Sequence, residues 1–288
     1  MQARVLDYVA LTKPRIMLLL LITAAAGAFA AARGVPPAAT LVGVLAGGAL
    51  ASGGASALNH VLDRDLDRRM RRTCDRPVAG DRVSVRAAAA FGLALSVLSF
   101  VVLATSSNLL AAALALAGNV FYVIVYTRWL KRSTPLNIVI GGAAGAVPPL
   151  VGWAAVSGSV GLPALWLFAI VFFWTPPHFW ALALLLKDDY AAAGIPMLPV
   201  VHGEQATVRQ IFGYAVALSA VTMLPIGWSR FGIVYVLSAA SLDIWFLLLA
   251  WRLLRDPSRP HARRLFHSSL AYLALLFVGI AVGAVLRG

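Results

Sequence analysis

Nine apolar stretches dominate the chain: residues 16–33, 38–58, 87–105, 108–127, 136–156, 162–183, 211–228, 231–251 and 267–286. Each approaches the roughly 20 apolar residues that carry an α-helix across a bilayer. The pattern predicts an all-α, polytopic membrane protein, one domain over residues 1–288, with nine transmembrane helices in a bundle. The polar connections alternate in kind. On one side they are short, as at Ser106–Ser107 and Ser229–Arg230; on the other they are long and rich in arginine. Long connections carry function more often than tight turns do, so the pattern places the chemistry and a site cavity on the arginine-rich face.

Charge fixes the expected orientation. Of the 24 lysines and arginines, 21 fall in the N-terminus and in segments 59–86, 128–135, 184–210 and 252–266; Arg33, Arg230 and Arg287 lie on the other side. By the positive-inside rule the 21 face the cytoplasm, with the N-terminus inside and the C-terminus outside. The first stretch has the flanks of a signal peptide, with Lys13 and Arg15 before it and Ala28-Phe29-Ala30 at its end. It is long for that role and more spans follow, so it reads as an uncleaved helix.

Composition agrees with a lipid-embedded chain: 61% of residues are hydrophobic and 12% charged, against about half and a quarter in soluble domains. The formal net charge of +13 does not argue for a nucleic-acid partner, because the basic residues cluster between the apolar runs. The single cysteine, Cys74, excludes an internal disulfide and a multi-cysteine metal site.

The densest chemistry lies at Asn59–Pro77, directly after an apolar, glycine-rich run. Asn59, Asp63 and Asp67 are spaced i, i+4, i+8, which makes one stripe if the preceding helix continues. Arg64, Arg68 and Arg72 make a second stripe beside it. Carboxylate and amide oxygens suit a hard cation, and guanidinium groups suit phosphate oxygens, so the pair of stripes fits a magnesium diphosphate. The alternative is a solvated, salt-bridged loop, which does not account for carboxylates in register at a helix end.

A second acidic site is Lys187-Asp188-Asp189-Tyr190, where one of the two aspartates can turn inward at the end of the sixth span. It reads equally as a charged helix terminus. Ten of the chain's 11 acids lie on the arginine-rich side, however, and two facing acidic sites would hold metal on one diphosphate. His178, in Trp174-Thr175-Pro176-Pro177-His178-Phe179-Trp180, is an intramembrane ionisable group and hence a functional candidate; it equally suits a helix–helix hydrogen bond. Asp243 lies mid-span with either a structural or a functional reading open. Tyr122 and Tyr126, one turn apart, read as an interfacial belt or as π faces around a cation. Gly47-Gly48, Gly53-Gly54 and Gly141-Gly142 allow close helix contact, and Pro148-Pro149 and Pro176-Pro177 interrupt helical hydrogen bonds.

These residues resemble the UbiA-type intramembrane prenyltransferases over nearly the whole chain, and among them the haem-farnesylating branch. The carriers are Leu11-Thr12-Lys13-Pro14-Arg15, the Asn59/Asp63/Asp67 run, Arg71-Arg72-Thr73-Cys74-Asp75-Arg76-Pro77, Tyr126 to Lys131, Thr134 to Gly142, Pro176 to Trp180, and Lys187 to Pro199. The chain departs from the family pattern twice. Leu184 and Leu185 precede Asp188-Asp189 where aspartates four apart are usual, and one extra residue separates Tyr126 from Lys131.

The resemblance implies transfer of a farnesyl group from farnesyl diphosphate to a vinyl group of haem B in a bacterial cytoplasmic membrane. Mg²⁺ would be the cofactor, held by Asn59, Asp63, Asp67, Asp188 and Asp189, with Tyr126 in the catalytic set. Arg64, Arg68, Arg72, Lys131 and Lys187 would take the diphosphate, and His178 the haem. A downstream haem A synthase or terminal oxidase assembly would be the partner. The alternatives are a prenyltransferase acting on a quinone precursor or chlorophyll-type ring, and a membrane transporter; a transporter asks for mid-membrane acids, of which Asp243 is the one present.

Overall fold

The computed structural model describes residues 2–227 and 233–286. Among the described residues nine long helices form the body: α1 Pro14–Ala32, α2 Ala38–Leu62, α3 Val85–Ser106, α4 Leu109–Ser133, α5 Asn137–Ser157, α6 Leu162–Leu185, α7 Gly203–Met223, α8 Ile233–Arg255 and α9 Arg259–Val285. No strand occurs among the described residues. Eight of the nine are long and apolar enough to cross a membrane. The exception is α7, whose first two turns carry Glu204, Gln205, Arg209 and Gln210. It nonetheless packs between α6 and α8 and buries Ile211, Ala215 and Leu218. The expected end of this span, at residue 228, and the start of the next, at 231, lie outside the described residues.

Local chemistry starts and stops these helices. The Ser84 hydroxyl accepts from the Ala87 N–H to open α3, and the Asn108 side chain accepts from the Ala111 N–H to open α4. Prolines stand in the first turn of α1, α6 and α9, where their missing N–H costs no helical bond. Gly158, at φ 67°, ends α5 in the left-handed conformation. Several helices run further than the apolar pattern marks: α4 continues to Ser133, α8 to Arg255, and α9 begins at Arg259, eight residues early. Arginine and lysine are good helix formers, so helices leave the apolar layer without unwinding.

The helices close into a ring in chain order. α2 packs on α3, α3 on α4, α6 on α7, α7 on α8 and α8 on α9; α9 then meets α1, and α5 meets α6. α1 crosses α5 at close range. A Cβ placed on Gly152 would lie 1.8 Å from the Ala24 carbonyl oxygen, and one on Gly27 would lie 2.3 Å from the Pro149 oxygen. α5 itself breaks at Ala146, with Pro148-Pro149 opening its second half. α6 instead continues straight through Pro176-Pro177.

Asp243 belongs to the α7–α9 packing. Its carboxylate accepts from the Thr222 hydroxyl at 2.6 Å and from the Tyr272 hydroxyl, and Tyr235 donates to the Thr222 carbonyl at 2.7 Å. A mid-span acid with these partners joins helix to helix.

The contact between α1 and α5 leaves no room for a methyl group. Gly152→Ala should lower the melting temperature of the detergent-solubilised protein by several degrees, in line with an overpacking cost of roughly 1–3 kcal/mol. Gly145→Ala, on the same span but with open space around it, should leave it within a degree. Equal melting temperatures for the two variants would remove the close crossing from this description.

Candidate active site

The acidic stripe forms at the end of α2. The helix stops at Leu62 and a one-turn helix, Arg64–Asp67, follows, yet the i to i−4 bonds persist: the Asp63 N–H reaches the Asn59 carbonyl at 2.8 Å, and the Asp67 N–H reaches the Asp63 carbonyl at 2.7 Å. Asn59, Asp63 and Asp67 therefore stay in register, and all three are buried.

Each of the three meets its own cation. Lys13, just before α1, donates to the Asn59 amide oxygen at 2.8 Å. Lys131, near the end of α4, contacts Asp63 directly. Arg76, in the connection after the stripe, donates to both oxygens of Asp67 at 2.8 and 3.0 Å. The Asn59 amide nitrogen donates to Asp63 at 2.7 Å and to the Thr127 hydroxyl at 3.2 Å, which locks the stripe to α4. Burial brings Lys13 down to about 7, Arg76 and Lys131 add repulsion, and Asp63 and Asp67 oppose the shift. Lys13 also stands at φ 50°, directly before Pro14. That left-handed backbone costs an ordinary residue roughly 1–2 kcal/mol, and strain of this kind gathers at functional sites.

The second arginine stripe points elsewhere. Arg64 and Arg68 both grip Asp81, which itself has φ 58°, and Arg68 also donates to the Ala79 carbonyl at 2.9 Å. Arg82 ties the same connection to Asp7 and to the Asp75 carbonyl, both at 2.8 Å. These contacts fold segment 68–84 back against the end of α2 and tie it to Asp7. Arg72 is exposed but acts electrostatically on Tyr190.

Lys131 reaches Asp63 because α4 changes winding. Residues Phe121–Leu130 form a π-helix, and the Lys131 N–H bonds the Tyr126 carbonyl five residues back. The extra residue between Tyr126 and Lys131 is thereby absorbed, since a five-residue step returns to the same face. Helical segments of this type recur at functional sites. Tyr122 and Tyr126 stack with ring centroids 5.5 Å apart, and Gly141 leaves the space for the Tyr126 ring.

Of the second acidic pair, Asp189 is the half-buried member and Asp188 the exposed one. Tyr190, buried beside them, is raised above its ordinary value by burial; Arg72 and Arg76 oppose this, and Asp63 and Asp189 reinforce it. Tyr190 is thus within electrostatic reach of both acidic sites. Asp188 and Lys187 instead line a cavity of about 290 Å³ with Arg259 and Ser258, and Lys187 pairs with Glu204 at 3.0 Å.

Among the described residues no three His, Cys, Asp or Glu side chains are gathered into a ready metal cage. The stripe offers two carboxylates and an amide oxygen, a hard donor set suited to Mg²⁺. One of these donors, Asp63 Oδ1, is buried without a partner among the described residues, a costly state that a cation would relieve. The chain's residues fit the metal.

His178 lies apart from the stripe, inside α6. Its ring is sandwiched between Trp174 at 4.3 Å and Phe266 at 4.9 Å, and its Nδ1 is 2.7 Å from the Ser269 hydroxyl on α9. About seven residues of helix separate it from Leu185, some 10 Å of rise.

Sequence reasoning gave no role to Lys13, Arg76, Thr127, Tyr190 or His60. The last is buried with neither ring nitrogen bonded among the described residues, and it faces Lys13 and Arg76. Lys13 and Arg76 stood in the quoted motifs, but only the fold brings them to the stripe.

Comparison with known proteins places this arrangement. The model of the UbiA prenyltransferase family matches residues 20–280. The protoheme IX farnesyltransferase of Nostoc sp. is 53% identical over 280 residues, covering 96% of this chain and 87% of the relative. That of Gloeobacter violaceus is 50% identical, covering 97% and 92%. That of Thermus thermophilus is 53% identical over 96% of this chain, which spans 45% of that relative's length. Among solved structures, digeranylgeranylglyceryl phosphate synthase superimposes with a TM-score of 0.80 at 19% identity, covering 98% of this chain and 99% of the other. A UbiA homologue from Archaeoglobus fulgidus bound to DMAPP and Mg²⁺ gives 0.74 at 19%, covering 96% and 99%. With a family model spanning most of its length and half its residues shared with such relatives, the chain belongs to the UbiA prenyltransferase family.

Proposed function

We propose that this chain transfers a farnesyl group from farnesyl diphosphate to a vinyl group of haem B, giving haem O and diphosphate. The observation that carries the reading is the buried stripe in which Asn59, Asp63 and Asp67 each meet a separate cation. Such a site has a place for a divalent metal and positive groups ready to turn to phosphate oxygens.

Mg²⁺ would be held by Asn59, Asp63 and Asp67, with Asp189 from the second site, and would neutralise charge on the diphosphate. Lys13, Lys131 and Arg76, freed from the stripe, stabilise the negative charge that develops as the allylic C–O bond breaks. Arg72 adds to this field at the rim. Arg64 and Arg68 hold the connection closed through Asp81. The Tyr122 and Tyr126 rings supply π faces for the allylic carbocation, and the apolar bundle keeps water from it. The haem vinyl π bond attacks this cation. Water then adds to the resulting cation and loses a proton, leaving a hydroxyethylfarnesyl substituent. His178 holds the haem below the mouth.

The direct test is to incubate the purified protein with haem B, farnesyl diphosphate and Mg²⁺, then separate the haems by chromatography and weigh them. A product with the mass of haem O is expected. In the same assay Asp63→Ala and Arg76→Ala should lose at least about 100-fold in turnover, near 2.7 kcal/mol of barrier. Arg68→Ala, whose guanidinium serves Asp81, should lose only a few-fold. A prenylated ring other than haem would overturn the substrate assignment. A full-strength Asp63→Ala enzyme would overturn the metal site.

The arginine-rich face is proposed to be cytoplasmic, in a bacterial inner membrane, with farnesyl diphosphate and haem entering there. Reporter fusions after Arg132 should then read internal and fusions at the C-terminus external. An internal C-terminus contradicts the assigned orientation.

A further inference from the structure

Ser269 has one hydroxyl proton and two neighbours at hydrogen-bond distance. Its Oγ donates to the Phe266 carbonyl, one turn back on α9, at 2.6 Å. The same Oγ lies 2.7 Å from His178 Nδ1. The carbonyl can only accept, so a proton given to it leaves the hydroxyl to accept from the ring, the arrangement in which Nδ1 carries the hydrogen. In the neutral imidazole the lone pair then resides on Nε2. The bond to Ser269 is made by Nδ1, and no hydrogen bond of Nε2 occurs among the described residues.

The ring has little freedom to turn away from this arrangement. Trp174 stacks on it at 15° and Phe266 at 22°, and Phe179 meets it edge-on at 5.2 Å. Trp174 is fixed in turn, because its indole N–H donates to the Ser269 carbonyl at 2.8 Å. Ser269 is fully buried and contacts His178 with its side chain and Trp174 with its backbone. The arrangement matches the way proteins orient a metal-binding imidazole: one nitrogen is tied to a hydrogen-bond acceptor and the other keeps its lone pair without a bond among the described residues.

We propose that Ser269 is a positioning residue that fixes the Nδ1–H tautomer of His178, so that Nε2 is presented as a ligand to the iron of the haem substrate. The proposal rests on the reading above that haem is the acceptor and that His178 meets it. A hydroxyl serving only to join α9 to α6 would need a hydrogen bond of either direction and would leave no signature on the iron.

The test uses the full chain in detergent, titrated with ferric haem B and, separately, with farnesyl diphosphate and Mg²⁺. Absorption and electron paramagnetic resonance spectra and melting temperature are recorded for wild type, His178→Ala, Ser269→Ala and Ser269→Thr. Wild type should show a histidine-ligated spectrum, which His178→Ala loses. Ser269→Ala should weaken haem binding by roughly 10- to 100-fold, the usual effect of removing an outer partner of a ligating histidine. It should also shift the axial-ligand signature while keeping farnesyl diphosphate affinity within two-fold. Ser269→Thr, which keeps the acceptor, should restore both haem affinity and spectrum. If Ser269→Ala binds haem with wild-type affinity and spectrum while His178→Ala does not, the positioning role is wrong and the haem reading stands. If Ser269→Ala loses affinity only in step with its melting temperature and keeps the wild-type spectrum, the residue is packing alone and the proposal falls. If His178→Ala also binds haem as wild type does, the placement of haem at His178 fails with it.

Discussion

Asp63 and Asp67 lie almost wholly out of water, and a carboxylate in that position is tolerated only with a positive partner beside it. This constraint organises the mouth of the bundle. It draws Lys131 down from α4, Arg76 back from the connection that follows, and Lys13 inward from the start of α1 through a strained backbone. The three helices that frame the mouth are thereby joined by charge as well as by packing. The same balance would make the site responsive to ligand: a divalent ion that takes the carboxylates releases three cations beside its own phosphate-bearing partner.

The apolar bundle below the mouth is built on a different logic. Close approach of α1 and α5 at Gly27 and Gly152, and buried polar contacts such as Asp243 with Thr222 and Tyr272, hold helices that lipid alone would not press together. Several polar residues in this layer bond across to neighbouring helices, and His178 is one of them. Among the described residues its Nδ1 meets Ser269, and no bond to its Nε2 is made.

Much of this was legible in the chain. A period of four residues, continued past an apolar run, was enough to place Asn59, Asp63 and Asp67 together, because the i to i−4 bonds persist across the break at Asp63. The spans were legible for a similar reason, since burial in hydrocarbon demands long uninterrupted apolarity. Their ends were not, because arginine-rich segments such as 259–266 go on as helix after hydropathy has fallen. The same period set Arg64 and Arg68 beside the acids but could not show that both pair with Asp81. Their partner, Asp81, lies in a connection whose path no periodicity encodes. Arg76 and Lys13 were hidden for the same reason, being brought to the stripe by chain reversal and by a left-handed residue. The extra residue before Lys131, a departure from the family pattern, lies in the π-helical stretch of α4, a winding that no sequence period announces.

The central claim is that the buried stripe exchanges its cations for a metal–diphosphate pair, so binding of one should require the other. Isothermal titration of inorganic diphosphate into the purified protein, with and without Mg²⁺, measures this without any turnover. The account predicts binding at least ten-fold tighter with Mg²⁺, a coupling of about 1.4 kcal/mol or more, and loss of that difference in Asp63→Asn. Diphosphate binding of equal strength with and without Mg²⁺, or a metal dependence that survives Asp63→Asn, would contradict it.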